Sequence, residues 1–155
     1  MIALNLGCGN DYRISTEDIT WINVDNGNAK VDKKLNIEEF PYNFNDNFVD
    51  KIDIIQVLEH INRDNFILVI RELYRISKNS CEWNIVVPHG LSDNFVTDPT
   101  HKMPFSTRTF DYFIDDTQLR ENGIIYGWGD IKLGIIEIPF IDGNQSIHFN
   151  LKVIK

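Results

Sequence analysis

The run Leu4-Asn5-Leu6-Gly7-Cys8-Gly9 leaves an apolar stretch through two glycines one residue apart, and Asp25 ends the next apolar stretch, Trp21–Asp25. Glycine has no Cβ, so a chain that leaves a strand this way lets a ligand come close to its backbone. In open α/β sheets ligands sit beyond the carboxyl ends of the strands, beside the first strand. A carboxylate ending the neighbouring strand can accept hydrogen bonds from two ribose hydroxyls. The plainer alternative is a tight turn next to an acid that merely stops a strand; the acid's position after the second run favours a nucleoside. A pyrophosphate dinucleotide wants a third glycine that opens a helix, and here that position is Tyr12 with no long helix after it. The residues therefore favour an adenosyl group carrying an amino acid over a nicotinamide dinucleotide.

Three histidines could move a proton: His60, His89 and His101. His89 follows an apolar run at the expected ligand edge, and His101 lies in a loop between Thr100 and Lys102. Loop residues on a ligand side carry function more often than others, although each imidazole could equally be a hydrogen-bonded structural group. His89, Asp93, Asp98 and His101 could also surround a divalent ion. No helical i, i+4 pair or tight spacing supports that, so no metal is expected.

Strands and helices must hold these groups. Residues 2–6, 21–25, 51–57 and 83–88 are short β-branched or apolar runs between turn residues and predict strands; 31–37 is a weaker one. Residues 64–77 place Phe66, Ile67, Ile70, Leu73 and Tyr74 on one helical face, with Asn62 or Asp64 as the cap and Lys78–Ser80 as the stop. Residues 106–122 predict a second helix capped by Ser106 and ended by Asn122-Gly123. Residues 131–140 and 146–155 form a hairpin, whose last strand alternates and leaves His148 solvated. Together they predict an α/β sheet, mostly parallel, with antiparallel pairing at one edge.

The 155 residues suit one domain, and 43% hydrophobic with 25% charged residues is an ordinary globular composition. A net charge of −8 repels nucleic acid, and Lys30, Lys33 and Lys34 make no basic patch with Asp32 among them and Glu38 and Glu39 following. Cys8 and Cys81 form no disulfide framework or metal spacing. No run approaches membrane-spanning length, and the first strand starts too early for a signal peptide; a cytoplasmic protein is expected.

The chain resembles the class I S-adenosylmethionine-dependent methyltransferases. More narrowly, it resembles a compact subgroup with an N-L-G-x-G opening, a W-x-N-V-D strand, an L-E-H-I segment and a later D-P-T-H-K segment. Here these read Asn5–Gly9, Trp21–Asp25, Leu58–Ile61 and Asp98–Lys102. The resemblance implies a Rossmann-like, mostly parallel seven-stranded sheet in the order 3-2-1-4-5-7-6 with the last strand antiparallel. It implies S-adenosylmethionine as cofactor. Asn5, Gly7 and Gly9 would line its methionine end, and Asp25 would hold the ribose. Asn26 would border the adenine, Leu35 and Asn36 would meet the ring through backbone N–H, and Gln56 would face the sulfonium. His60 would stand at the mouth. Where many relatives have an acid that accepts from the adenine amine, this chain has Lys34, and the side-chain oxygen of Asn36 could substitute.

Only eleven residues separate Gly9 from Trp21, too few for a full helical crossover, and the next crossover is shorter still. The first crossover helices are therefore reduced or missing, and both remaining helices fall on the other face. That leaves a sheet face carrying Ala3, Trp21 and Val86, which a second subunit, most simply a homodimer partner, is expected to bury; the alternative is a monomer whose face is polar enough to be solvated, since Asn5, Asn23 and Asn84 alternate with apolar neighbours. The function expected is methyl transfer to a small-molecule or partner-presented acceptor. The alternative is a non-catalytic domain that binds the cofactor or its demethylated product as a partner subunit or sensor.

Overall fold

β-Branched and apolar runs become strands where their alternate residues find a common face. The computed structural model describes residues 1–27 and 30–155. Its strands are β1 (Ile2–Leu6), β2 (Thr20–Asp25), β3 (Lys33–Lys34), β4 (Val49–Ile55), β5 (Ser77–Pro88), β6 (Leu133–Ile141) and β7 (Ser146–Val153). They form one sheet in the order β3-β2-β1-β4-β5-β7-β6. β7 runs antiparallel to both of its neighbours, and the other pairs are parallel. This is the Rossmann-like order expected.

In-register neighbours share a face. Leu4 lies between Ile22 and Ile52, Ile54 beside Leu6 and Ile85, and Ile85 beside Phe149. Helix α1 (Phe66–Ile76) covers that face through Phe66, Val69, Ile70, Leu73 and Ile76. The buried stripe is therefore turned slightly from the expected one: Ile67 and Tyr74 only flank the core. Phe66 meets Phe105, Phe110 and Phe113, and Phe110 stands edge-on to Phe149 at 4.8 Å. Large side chains buried this way contribute about 1.5–3 kcal/mol each.

Several boundaries differ from the expectation. A 3-10 turn (Arg63–Asn65) precedes α1, and neither Asn62 nor Asp64 caps by its side chain. Asn62 instead donates through N–H and Nδ2 to Glu38 Oε1, at 2.7 and 2.9 Å. Lys78–Ser80 lies inside β5, because the chain passes from α1 directly into that strand. The expected weak strand 31–37 shrinks to two residues, since the Asp32 carboxylate takes the Asn23 N–H at 2.8 Å.

The helix expected over 106–122 is not formed. Ser106 Oγ accepts from Arg108 N–H in a local turn, a 3-10 turn spans Thr109–Phe113, and Asp116 has φ +64°. Helix α3 (Arg120–Ile125) then contains Asn122-Gly123 instead of ending there. Gly123 packs on the Tyr112 carbonyl, where a Cβ would lie 2.3 Å away. The reason is aromatic packing: Phe110 and Phe113 both have to reach α1, and the Asp115-Asp116 corner turns the chain back. A short helix, α2 (Asp93–Thr97), was not expected; Ser92 Oγ caps it from Phe95 N–H at 3.1 Å.

No helix follows β1 or β2 among the described residues, as the short crossovers required. Residues 10–19 instead lie over the second sheet face. Asn5 Nδ2 donates to Asp11 O at 2.7 Å, and Arg13 N–H donates to Asn23 Oδ1 at 2.8 Å. That face carries the in-register row Asn23, Asn5, Asp53, Asn84, Asn150, Glu137. Ala3 is fully buried and Trp21 and Val86 are half-buried. Of the three residues expected to form an apolar patch, none is fully exposed, and the polar row lies between Ala3 and Val86. Among the described residues no helix is long and apolar enough to cross a membrane.

Candidate functional site

The carboxyl ends of β1, β2 and β4 meet at a cleft of about 300 Å³. Six of the expected cofactor residues line it: Gly7, Asp25, Asn26, Leu35, Asn36 and Gln56; His60 joins them at the rim. Leu6, Ile37, Glu38, Val57 and Ile61 complete the wall. These five were not foreseen; Leu6, Ile37, Val57 and Ile61 each adjoin a foreseen residue in sequence, and Glu38 lies two residues after Asn36.

Gly7 has φ +69°, and its N–H donates to Val24 O at 2.8 Å. A Cβ there would stand 2.3 Å from Val57 Cγ2, so glycine is required by both the left-handed backbone and the facing wall. Asp25 is gripped from two sides: Gly9 N–H donates to Oδ2 at 2.9 Å and Gly27 N–H to Oδ1 at 2.6 Å. Gly9 therefore fixes the acid and does not line the cleft. Asn5 does not line it either: it is 4% exposed, on the opposite sheet face, bonded to Asp11 O and Asn23 Oδ1.

The edge expected to meet an adenine also differs from the expectation. Leu35 N–H is spent on Asp25 O at 3.2 Å. Asn36 Oδ1 accepts from Glu38 N–H and its Nδ2 donates to Glu39, so its side chain folds onto its own loop and does not replace the missing acid at Lys34. Its backbone N–H has no partner among the described residues. Burial alone would raise the Glu38 carboxyl, but hydrogen bonds from Asn65 and Asn62 hold it below its ordinary value.

A 3-10 turn (Leu58–His60) follows β4. Glu59 O accepts from Lys102 N–H and Met103 N–H at 2.7 and 3.0 Å, which clamps the 98–103 loop against it. The rings of His60 and His101 consequently stand 4.8 Å apart. Thr100 Oγ1 donates to Asp98 Oδ1 at 2.6 Å and lies 3.0 Å from His60 Nδ1. His101 Nδ1 lies 3.0 Å from Phe95 O. Glu59 is fully buried, neither carboxylate oxygen has a partner among the described residues, and burial pushes it up to about 7.

His89 lines neither the cleft nor this cluster; its Nδ1 accepts from Leu91 N–H at 3.2 Å. The grouping of His89, Asp93, Asp98 and His101 is therefore not assembled: Asp98 Oδ2 approaches His101 at 3.7 Å, but His89 is engaged elsewhere. Nor is His148 freely solvated. It is half-buried, stacks on Phe140 and meets Asp142 Oδ2 at 2.9 Å. A second cavity, of about 620 Å³, lies between α1 and the 103–128 segment, with Phe66, Tyr112, Phe113 and Trp128 in its wall and Arg63 and Arg108 beside them.

The fold is the Rossmann-like fold of class I S-adenosylmethionine-dependent methyltransferases. A SAM-dependent methyltransferase structure from Archaeoglobus fulgidus matches with a TM-score of 0.62 and 20% identity, over 97% of this chain and 85% of that one. One from Aquifex aeolicus matches with a TM-score of 0.62 and 15% identity, over 99% of this chain and 82% of that one. The cyclase SpnF matches with a TM-score of 0.55 and 15% identity, over 88% of this chain and 53% of that one. No protein-family model and no curated protein sequence matches the chain. Since the fold also carries a cyclase, function has to be argued from the site.

Proposed function

We propose that the protein binds S-adenosylmethionine in the cleft at β1, β2 and β4 and transfers its methyl group to an acceptor. The observation that carries this reading is Asp25, an acid ending β2 and fixed by two backbone N–H groups beside Gly7. The residues suit the cofactor. Each Asp25 oxygen holds one N–H and keeps lone-pair capacity for a ribose hydroxyl. Leu6, Leu35, Ile37, Val57 and Ile61 offer an apolar wall to a purine, and Asn36 N–H offers it a donor. No helix N-terminus follows Gly9 to receive a pyrophosphate. The volume lies at the small end of the range for ligand sites, roughly 300–1,000 Å³.

When bound, the cofactor supplies a sulfonium methyl already activated for displacement. The chain has to orient the acceptor, exclude water and receive a proton where the acceptor is a hydroxyl. The His60–His101 cluster at the rim of the cleft supports the last role. The acceptor would be a small molecule, or a group presented by a partner protein, held against residues 89–105.

Calorimetry and thermal unfolding test the binding. At a hundredfold excess over Kd, S-adenosylmethionine or S-adenosylhomocysteine should add about 2.7 kcal/mol. That is a rise of roughly 5–10 °C for a domain of this size. NAD should give no shift. Asp25→Ala should weaken either adenosyl ligand about ten- to a hundredfold through lost charge-assisted bonds. No shift with either ligand at millimolar concentration would end the reading.

A further inference from the structure

We propose that Glu59, His60 and His101 form a binding site for one divalent transition-metal ion. One carboxylate oxygen and one ring nitrogen from each histidine lie within 4.8 Å of one another. The three residues come from two chain segments, joined by the bonds from Lys102 and Met103 N–H to Glu59 O. The backbone, not a chance approach of exposed side chains, brings them together.

Glu59 is the first reason to look for a ligand. A carboxylate taken from water is costly unless it is paired or hydrogen-bonded. Glu59 is fully buried and neither oxygen has a partner among the described residues. A cation completes it.

Proton bookkeeping on the histidines is the second. Phe95 O can only accept, so His101 carries its proton on Nδ1. Thr100 Oγ1 gives its own proton to Asp98, so it accepts from His60, whose proton is also on Nδ1. In the neutral rings both Nε2 atoms then keep a lone pair, and His101 Nε2 also lies 3.7 Å from Asp98 Oδ2. An imidazole whose far N–H is held by a carbonyl, or by a hydroxyl backed by a carboxylate, is the usual arrangement around a metal.

The donor set selects the ion. Two imidazoles and one carboxylate suit zinc, iron, cobalt or manganese, whereas magnesium and calcium prefer all-oxygen shells. Bonds of about 2.0–2.1 Å put tetrahedral ligands roughly 3.4 Å apart, so the side chains close slightly on binding. Three protein ligands leave a position free, and His60 lines the cleft. With the ion bound the two imidazoles are ligands and no longer proton acceptors; an acceptor oxygen in the free position would be acidified instead. This last role rests on the methyl-transfer reading; the binding of the ion does not.

The test is titration of the chelator-treated full chain with Co²⁺, followed by visible absorption, and with Zn²⁺ by calorimetry. One equivalent should bind and raise Tm. Glu59→Gln and His101→Ala should abolish binding. Glu59→Gln should keep or raise the metal-free Tm, because a neutral amide replaces an unpartnered buried carboxylate, so lost metal is not lost fold. Thr100→Val should weaken binding about 10–100-fold through its hold on His60, an effect that a packing role would not produce. Failure of the wild type to take up Co²⁺, or Co²⁺ uptake by Glu59→Gln equal to wild type, overturns the site. S-adenosylhomocysteine is titrated in parallel: its failure with Co²⁺ binding intact removes the cofactor reading and leaves the metal site standing.

Discussion

Gly7→Ala probes how the cleft wall is built. Gly7 has φ +69°, a conformation that costs a residue with a Cβ about 1–2 kcal/mol. The new methyl would also lie 2.3 and 2.9 Å from the two Val57 methyl carbons. Carbon atoms settle at about 3.5–4.0 Å, and relieving such an overlap in packed surroundings costs about 1–3 kcal/mol. The expected loss is about 2–5 kcal/mol, or roughly 5–20 °C in Tm for this size. Val57→Ala separates the two parts. Alone it should cost about 1 kcal/mol, since Val57 is half-buried. Combined with Gly7→Ala it removes the overlap and leaves only the backbone strain. Urea unfolding of the four proteins should therefore give a coupling of about 1–3 kcal/mol between the sites. Strict additivity, or a Gly7→Ala protein within about 0.5 kcal/mol of wild type, would show that neither the left-handed turn nor the Val57 contact governs this wall.

Two further outcomes are expected from the core and the surface. Trp83 Nε1 donates to Ser77 Oγ at 2.9 Å, and that hydroxyl donates to Leu73 O at 2.7 Å. Ser77→Ala strands a buried indole N–H and should cost about 1–3 kcal/mol by urea unfolding, an effect that Trp83→Phe in the same background should reduce. The hydrogen bond from Arg75 holds the Glu72 carboxyl below its ordinary value of 4.5. A lowered folded value means stability that is present above the ordinary value and lost as pH falls through the folded one. Tm measured from pH 6 downward should fall less steeply in Glu72→Gln than in wild type.

The parallel core was legible because its residues are both apolar and alternating: Leu4 with Leu6, Ile52 with Ile54, Ile85 with Val87. The terminal hairpin was legible for the same reason. The failures have a common cause. Residues 106–122 read as a helix from local spacing, but Phe110 and Phe113 are positioned by Phe66, more than forty residues away in sequence. The early start of β5 was hidden by the polar run Ser77–Glu82, which is held by pairing with β4 and by the Ser77–Trp83 bond. At the site, the placing of Gly7 and Asp25 beside the cleft could be read, because both stand where apolar runs stop. The roles of Gly9 and Asn5 could not, because a glycine N–H that grips a carboxylate looks in sequence like any turn glycine. The meeting of His60 with His101 was likewise invisible: two backbone bonds to Glu59 O create it, and no side-chain pattern encodes them.

The second sheet face shows how a shortened crossover can be accommodated. Parallel sheets are usually covered by helices on both faces and read as continuous apolar runs. Here Asn5, Asn23 and Asn84 interrupt three central strands, and each can be placed only by its neighbours across the sheet. Asn5 Nδ2 bonds Asn23 at 3.1 Å, Asn84 Nδ2 reaches Asp53 at 3.4 Å, and Asn150 Nδ2 bonds Glu137 at 2.7 Å. Arg13, from the segment that replaces the first helix, meets Asp53 at 3.3 Å. Whether a face is an apolar patch is decided by such in-register neighbours, not by alternation along one strand. Ala3 pairs with Trp21 and Val86 with Ile55, and the row Asn23, Asn5, Asp53, Asn84 runs between these two apolar pairs, with Lys51 and His148 on their other sides. A loop bonded to a polar row can thus cover the centre of the sheet with far fewer residues than a helix. The same economy shapes the site. With no helix after Gly9 to fix the turn, the grip of Asp25 on Gly9 and Gly27 sets the cleft wall. The acid that would hold the ribose is therefore also the residue that shapes the cleft.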